Sequence, residues 1–277
     1  MNVLRIGCVK YLNARPLIRG WRGNVEFDHP STLCQRLANG DLDVALVSSF
    51  EYLRNPVYRM VDDVSISSDG PVYSVVVVYR GDISGIEEIE LDPASQTSVN
   101  LLRCLLAELG LKPRLIRNIA KMPMLPALQR ARLLIGDQAI HFRQKHAGEF
   151  QFWDLGEQWK KLTGLPFVYA LWLIRPEVSR AKSIAQRLRE LRDKNLASLE
   201  DLIEEVVADV GTSAVASAKP DEPGPRTVPN CKFLLGYFRK NLLFGFGKKE
   251  KQGLQCCADL CAKHGLLPAR ERPFTLV

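Results

Sequence analysis

Arg5-Ile6-Gly7-Cys8-Val9-Lys10-Tyr11-Leu12-Asn13-Ala14-Arg15-Pro16-Leu17 is the stretch that decides the fold. Val3, Leu4 and Ile6 make a short apolar run of strand length,. Small and polar residues follow, with Pro16 ahead, so the strand stops and the chain turns into a loop or a helix start,. In open α/β folds ligands gather beyond the carboxyl ends of strands, which puts Tyr11 and Asn13 where a small molecule would be met. On these residues alone two readings stand: Asn13 caps a helix with Tyr11 packed beside it, or both face a ligand.

Working outward, Val25–Phe27 is a second short strand. Thr32 and Gln35 have capping-box spacing, Leu33 and Leu37 share a face, and Gly40 ends the helix,. Val44-Ala45-Leu46-Val47 is a continuous apolar run, as in a strand buried on both faces, and it stops at Ser48-Ser49,. Strand, helix, strand in this order predicts a parallel βαβ unit with a right-handed crossover. Asn55-Pro56 breaks the next short helix, Ser65–Pro71 reads as a polar turn, and Val72–Tyr79 as a long β-branched strand,.

A second αβ region follows. Glu88–Leu91 is a strand, and Ser98–Leu109 a helix with Leu102, Leu105, Leu106 and Leu109 as its buried stripe, ended by Gly110,. Leu115–Arg117 and Arg132–Ile135 read as strands, Met124–Arg130 as a short helix, and Phe167–Ile174 as another long apolar strand. Ala181–Val210 is helical, Thr212–Asn230 an exposed loop, and Tyr237–Phe244 and Gln252–His264 the last helices. The two long strands bracket the second region, so the chain leaves one lobe and later returns to it. The expected architecture is α/β and two-lobed with a central cleft: lobe I from 1–76 and 169–277, lobe II from 77–168.

Composition narrows the class. The 277 residues are 46% hydrophobic and 25% charged, as in an ordinary globular protein,. No apolar run approaches the roughly 18 residues that span a bilayer, and the N-terminus runs into a strand without a secretory pattern; the expectation is a cytoplasmic protein without a membrane partner. The net charge of +7 suits an anionic small molecule, while dispersed basic residues and the lack of a recognition motif argue against nucleic acid,. Seven cysteines, an odd number lying mostly in apolar segments, suit a reducing compartment,. Cys256, Cys257, Cys261 and His264 fall on successive helical turns, but no second ligand pair accompanies them, so they read as buried helix cysteines and no metal is expected,.

The polar groups at strand ends and helix starts are Asn13, Ser48, Ser49, Ser68, Ser95, Thr97, Ser98 and Asp137. Hydroxyls, amides and the free N–H groups of a helix start bind carboxylates through neutral donors. Ser95-Gln96-Thr97-Ser98 is the best such seat, and equally an ordinary N-cap,. Asp137 is an acid or base candidate, or a cap for the helix after Gly136. His29, His141, His146 and His264 fall in surface helix or loop, where a structural role is expected. G-x-S-x-G, Walker and H-E-x-x-H motifs do not occur in the sequence,.

Several stretches resemble chorismate dehydratase of the futalosine route to menaquinone. They are Tyr11–Leu17, Asp43–Arg54, Ser67–Val72, Leu91–Ser98, Leu134–Asp137, and Asp154–Trp159 with Thr163–Val168, in that order along the chain. Gln96 departs from the Arg more usual in that family. The resemblance implies a fold like the type II periplasmic binding proteins. It also implies dehydration of chorismate to 3-[(1-carboxyvinyl)oxy]benzoate without metal or organic cofactor. By this likeness Asn13 would be catalytic, orienting substrate. Tyr11, Ser48, Ser49, Ser68, Gly70, Ser95, Thr97, Ser98 and Asp137 would bind the dianion, which would use its own enolpyruvyl carboxylate as base. The alternatives are 1,4-dihydroxy-6-naphthoate synthase, a non-catalytic solute-binding protein and a transcription-factor effector domain.

Overall fold

The computed structural model describes residues 4–92, 94–117, 129–216, 229–269 and 273–277, and only the backbone of 209–216. The chain begins with β1 (Ile6–Val9), a tight turn at Leu12–Ala14, α1 (Arg15–Ile18), β2 (Val25–Asp28), α2 (Pro30–Asn39), β3 (Val44–Ser48), α3 (Ser49–Arg54) and β4 (Arg59–Ser68). It then builds β5 (Val75–Tyr79), β6 (Glu88–Glu90), α4 (Gln96–Glu108), β7 (Arg114–Ile116), β8 (Arg130–Ile135), α5 (Gly136–Lys145), β9 (Gln151–Asp154) and α6 (Leu155–Thr163). It ends with β10 (Phe167–Ile174), α7 (Ala181–Ala197), α8 (Leu199–Ala216), α9 (Cys231–Gly236), a π-helical stretch at Tyr237–Asn241 and α10 (Lys248–Lys263).

Two five-stranded sheets result, in the orders β2-β1-β3-β10-β4 and β7-β6-β8-β5-β9. β1 pairs in parallel with β2 and β3, as the βαβ reading requires. β10 returns antiparallel to both β3 and β4. The second sheet is therefore inserted between β4 and β10, and the backbone passes between the sheets at 69–74 and again after β9. β3 and β10 are buried at every position, which explains their unbroken apolar runs,. No described helix is long and apolar enough to cross a membrane.

Several local expectations are corrected. Ser65–Ser68 is not a turn but the buried end of β4. The serines tolerate burial because each hydroxyl is bonded, Ser67 Oγ to Leu243 O at 3.3 Å and Ser68 Oγ to Gly70 O at 3.0 Å,. β5 starts at Val75, because Tyr73 sits at a φ of 66° that ends any strand pairing before it,. α2 starts at Pro30 with Pro at its first position, so Thr32 lies inside the helix and makes no capping box,. Leu109 ends α4 at 51% exposure rather than extending its buried stripe.

In the last third, the single helix over Ala181–Val210 is two, broken at Ser198, and the second runs on to Ala216 in what reads as loop. The rest of that loop up to 228, and most of the Met124–Arg130 helix, lie outside the described residues. The last segments shift too. Helix starts at Cys231 and the π-helical stretch ends at Asn241. Leu243 then bridges antiparallel to Ser67 on the edge of β4. His146 is buried at 8% exposure, its ring 4.5 Å from that of Phe142 and its Nδ1 3.2 Å from Glu149.

Candidate active site

The ends of β1 and β8 meet across the two sheets. Leu12 N–H donates to Asp137 Oδ1 at 2.9 Å, joining the turn after β1 to the first turn of α5. The Tyr11 ring lies against Gly136, where an added Cβ would come within 2.8 Å of a ring carbon. Gly136 also has a φ of 57°, so glycine answers both the close approach and the left-handed backbone,. Beside this contact opens a cavity of about 580 Å³, walled by Tyr11, His29 and Thr32 from the first sheet's elements and by Asp92, Ile135 and Gln138 from the second's. Burial pushes the Tyr11 phenol up, helped by Asp92 and Asp137. Burial likewise pushes Asp92 up, against a hydrogen bond from Ala94 N–H and the nearby His29.

A second crossing joins β3 to α4. Ser48 Oγ and Thr97 Oγ1 are hydrogen-bonded, and Thr97 Oγ1 donates to Tyr169 O at 3.1 Å. Thr97 thus has its proton engaged, and its oxygen already serves Ser48. Ser49 donates to Val168 O at 2.7 Å, tying α3 to β10. Ser95 caps α4, its Oγ accepting from Ser98 N–H at 3.1 Å. The cap reading of this turn is therefore realised, with Ser98 N–H already taken, while the buried Gln96 Oε1 has no partner among the described residues.

The third group gathers where the backbone first passes between the sheets. Ser68 Oγ faces Tyr169 Oη at 3.1 Å. A Cβ at Gly156 would lie 2.7 Å from both oxygens, so α6 approaches as closely as glycine permits,. Asp154, 3% exposed, accepts from Val72 N–H at 3.0 Å and Tyr73 N–H at 2.8 Å while capping α6 through Gly156 and Glu157. Burial pushes its carboxyl up, against these donors and Arg143. Arg143 stacks 4.0 Å from the Tyr73 ring centroid and donates to Tyr73 O at 3.1 Å. The strained Tyr73 backbone is thereby held from three sides.

Next to it, Tyr237 Oη donates to Ser74 Oγ at 2.7 Å. Burial pushes this phenol up, with the nearby Ser74 and Asn13 side chains acting against it. Asn13 Oδ1 is buried without a partner among the described residues.

Asn13, Tyr11 and Asp137 thus share one junction, Ser48, Thr97, Ser95 and Ser98 a second, and Ser68 and Gly70 a third. Ser49 points its hydroxyl at β10. Sequence reading missed Tyr237, Ser74, Tyr169 and Asp154. Only Asp154 carried a local signal, as an N-cap before Leu155-Gly156. The others matter through partners distant in the chain.

Two sheets with an inserted second lobe and a crevice between them define an α/β binding-protein-like fold. Solved structures agree. The periplasmic aliphatic sulphonate binding protein of Escherichia coli is 14% identical, with a TM-score of 0.60, covering 97% of this chain and 89% of that one. A protein from Archaeoglobus fulgidus is 16% identical, again with a TM-score of 0.60, covering 95% of this chain and 98% of that one. The chain belongs to the menaquinone biosynthesis family, whose model matches residues 4–263. Its curated relatives include the chorismate dehydratase of Thermus thermophilus, 33% identical over 219 residues, or 72% of this chain and 80% of the relative. That of Campylobacter jejuni is 27% identical over 186 residues, 66% of this chain and 69% of the relative.

Proposed function

We propose that this chain is a chorismate dehydratase, eliminating water from chorismate to give 3-[(1-carboxyvinyl)oxy]benzoate in menaquinone biosynthesis. The observation that carries this reading is the character of the crevice together with the named relatives. Amide and hydroxyl groups stand at the three junctions between the sheets, and Asn13 brings to the turn after β1 a carboxamide oxygen without a partner among the described residues. The division into lobe I (1–76 and 169–277) and lobe II (77–168) is part of the proposal, as is a cytoplasmic location.

Elimination needs a ring proton removed and a hydroxyl expelled, and aromatisation drives it forward. On this reading the substrate's enolpyruvyl carboxylate takes the proton and returns it to the departing hydroxyl, so that water leaves. The protein contributes a fixed reactive conformer and a site closed to solvent. Asn13 orients the substrate, and carboxylates are held near Ser68 and at the Ser95–Ser98 turn, where the Ser95 hydroxyl, an acceptor in its cap, still has its proton to give. Tyr11 and Asp137 join the lobes around it.

Incubation with chorismate and chromatography of the products tests this. The carboxyvinyloxybenzoate should accumulate, and N13A should cut kcat by about a hundredfold or more, as loss of a positioning contact does. Chorismate left unconsumed would overturn the reading; unchanged kcat in N13A would remove that residue from it. The naphthoate synthase alternative predicts no such product.

A further inference from the structure

We propose that the cavity of about 310 Å³ walled by Trp21, Arg22, Arg180 and Arg187 is a second binding site, which takes the phosphate group of a small phosphorylated molecule and seats its apolar remainder on the floor. It stands apart from the crevice and does not depend on the reading given above for that crevice.

The cavity lies at the other end of the first sheet. Leu4 leads into β1 there, whereas Tyr11 and Asn13 follow the far end of that strand. Arg22, Gly23 and Asn24 lead into β2, which runs parallel to β1. Arg180 stands just before α7, after β10 has ended beside the start of β3 with Ile174 opposite Val44. The wall is built from side chains that hold one another. Trp21 N–H donates to Ile18 O at 3.0 Å, the Arg187 guanidinium lies 3.9 Å from the Trp21 ring centroid, and Arg187 Nη2 donates to Arg22 O at 3.2 Å. In this way α7 fixes the turn that carries Trp21 and Arg22. Leu4, Trp21 and Ile184 belong to the apolar core or pack against it, and they make the floor.

Three guanidinium groups line this one cavity, and no acidic side chain among the described residues joins them. Other arginines of the chain are matched: Arg5 holds Asp43, Arg36 holds Glu26, Arg132 holds Glu90 and Arg192 holds Asp63. The Arg22 and Arg180 side chains have no hydrogen bond or ion pair among the described residues. Arg187 spends its charge on a ring and a backbone oxygen. Like charges around one cavity repel, and an anion from outside the chain relieves them. A guanidinium fork matches the oxygens of a phosphate in paired, charge-assisted hydrogen bonds. A phosphate ester carries close to two negative charges at neutral pH, so it answers three cations better than a single carboxylate does. The volume is at the small end of ligand pockets and leaves room for an organic body over the apolar floor,. All three arginines are exposed, so the affinity is moderate and falls as salt screens the charges,.

Calorimetry on the full chain at low ionic strength tests this with phenyl phosphate, which joins a phosphate to a flat apolar ring. One molecule should bind per chain with a Kd below about 1 mM. Inorganic phosphate should bind about threefold more weakly or worse, because it leaves the floor uncovered. Phenol, without the charge, should not bind measurably. Arg22→Ala and Arg180→Ala should each weaken phenyl phosphate about tenfold or more, as loss of a charge-assisted contact does. Both side chains are exposed and hold no other group, so these variants keep the fold. Saturating carboxyvinyloxybenzoate should leave the affinity for phenyl phosphate unchanged, since the crevice is at the opposite end of the sheet. Absence of saturable binding, equal affinity in the Arg22→Ala/Arg180→Ala double variant, binding of phenol as tight as that of phenyl phosphate, or displacement by the carboxyvinyloxybenzoate would overturn the proposal.

Discussion

Gly136→Ala separates two effects that the structure places on one residue. Its φ of 57° lies in the left-handed region, where an L side chain costs about 1–2 kcal/mol,. That cost is local and is felt whether or not the lobes are docked. The second effect is not local: the new methyl would lie 2.8, 2.9 and 3.1 Å from three carbons of the Tyr11 ring, which belongs to the other sheet's side of the crevice. Overpacking of this degree costs about 1–3 kcal/mol, and the backbone next door has little room to yield because Leu12 is tied to Asp137,. Only the arrangement with the two sheets docked, as here, suffers it, and the expectation is that the lobes part without ligand and close on it. Ligand binding should therefore weaken about 5- to 150-fold, while urea denaturation without ligand should register the smaller strain alone. Calorimetry with the carboxyvinyloxybenzoate product measures the first and denaturation the second. In a Tyr11→Ala background the affinity loss caused by Gly136→Ala should disappear. An affinity within about twofold of wild type, or an equal loss without the Tyr11 ring, would refute the idea that this contact forms on closure.

Two further outcomes follow from buried groups. Asp154→Asn must turn one acceptor oxygen into a donor, and the cheaper orientation abandons Tyr73 N–H; a loss of about 1–3 kcal/mol in urea denaturation is expected, and a change below about 0.5 would refute the role assigned to that carboxylate,. Burial, then Glu51, pushes the Cys34 thiol up to about 12, whereas in the unfolded chain a thiol ionises near 8.5,. The unfolded state then loses its proton first, so stability is full below about pH 8.5 and is lost as pH rises toward 12, by up to about 1.4 kcal/mol per pH unit for this group,. Denaturation at pH 7.5 and 9.5 reads the slope, which Cys34→Ala should flatten; an identical slope in that variant would count against the assignment.

Much of the architecture was legible because it is written in local patterns. The Val44–Val47 and Phe167–Ile174 runs are apolar because those strands are buried on both faces, and Gly40 at a φ of 84° ends α2 as a C-terminal glycine should,. The place of Asn13 beyond β1 was legible for the same reason. Ser65–Ser68 misled because a polar run reads as a turn unless its partners are known, and those partners, such as Leu243, lie far along the chain.

By itself, then, the sequence determined the parallel βαβ opening, the return strand that makes two lobes, and the polar character of the loops at the strand ends. Tertiary structure alone decided that Tyr237 meets Ser74, that Asp154 holds the Tyr73 turn, and that Gly136 lies under Tyr11. Periodicity reports how each segment meets water and apolar surface, which is a property of neighbours in the chain. Hydrogen-bond partners between distant segments depend on how whole elements dock, and no local pattern encodes that.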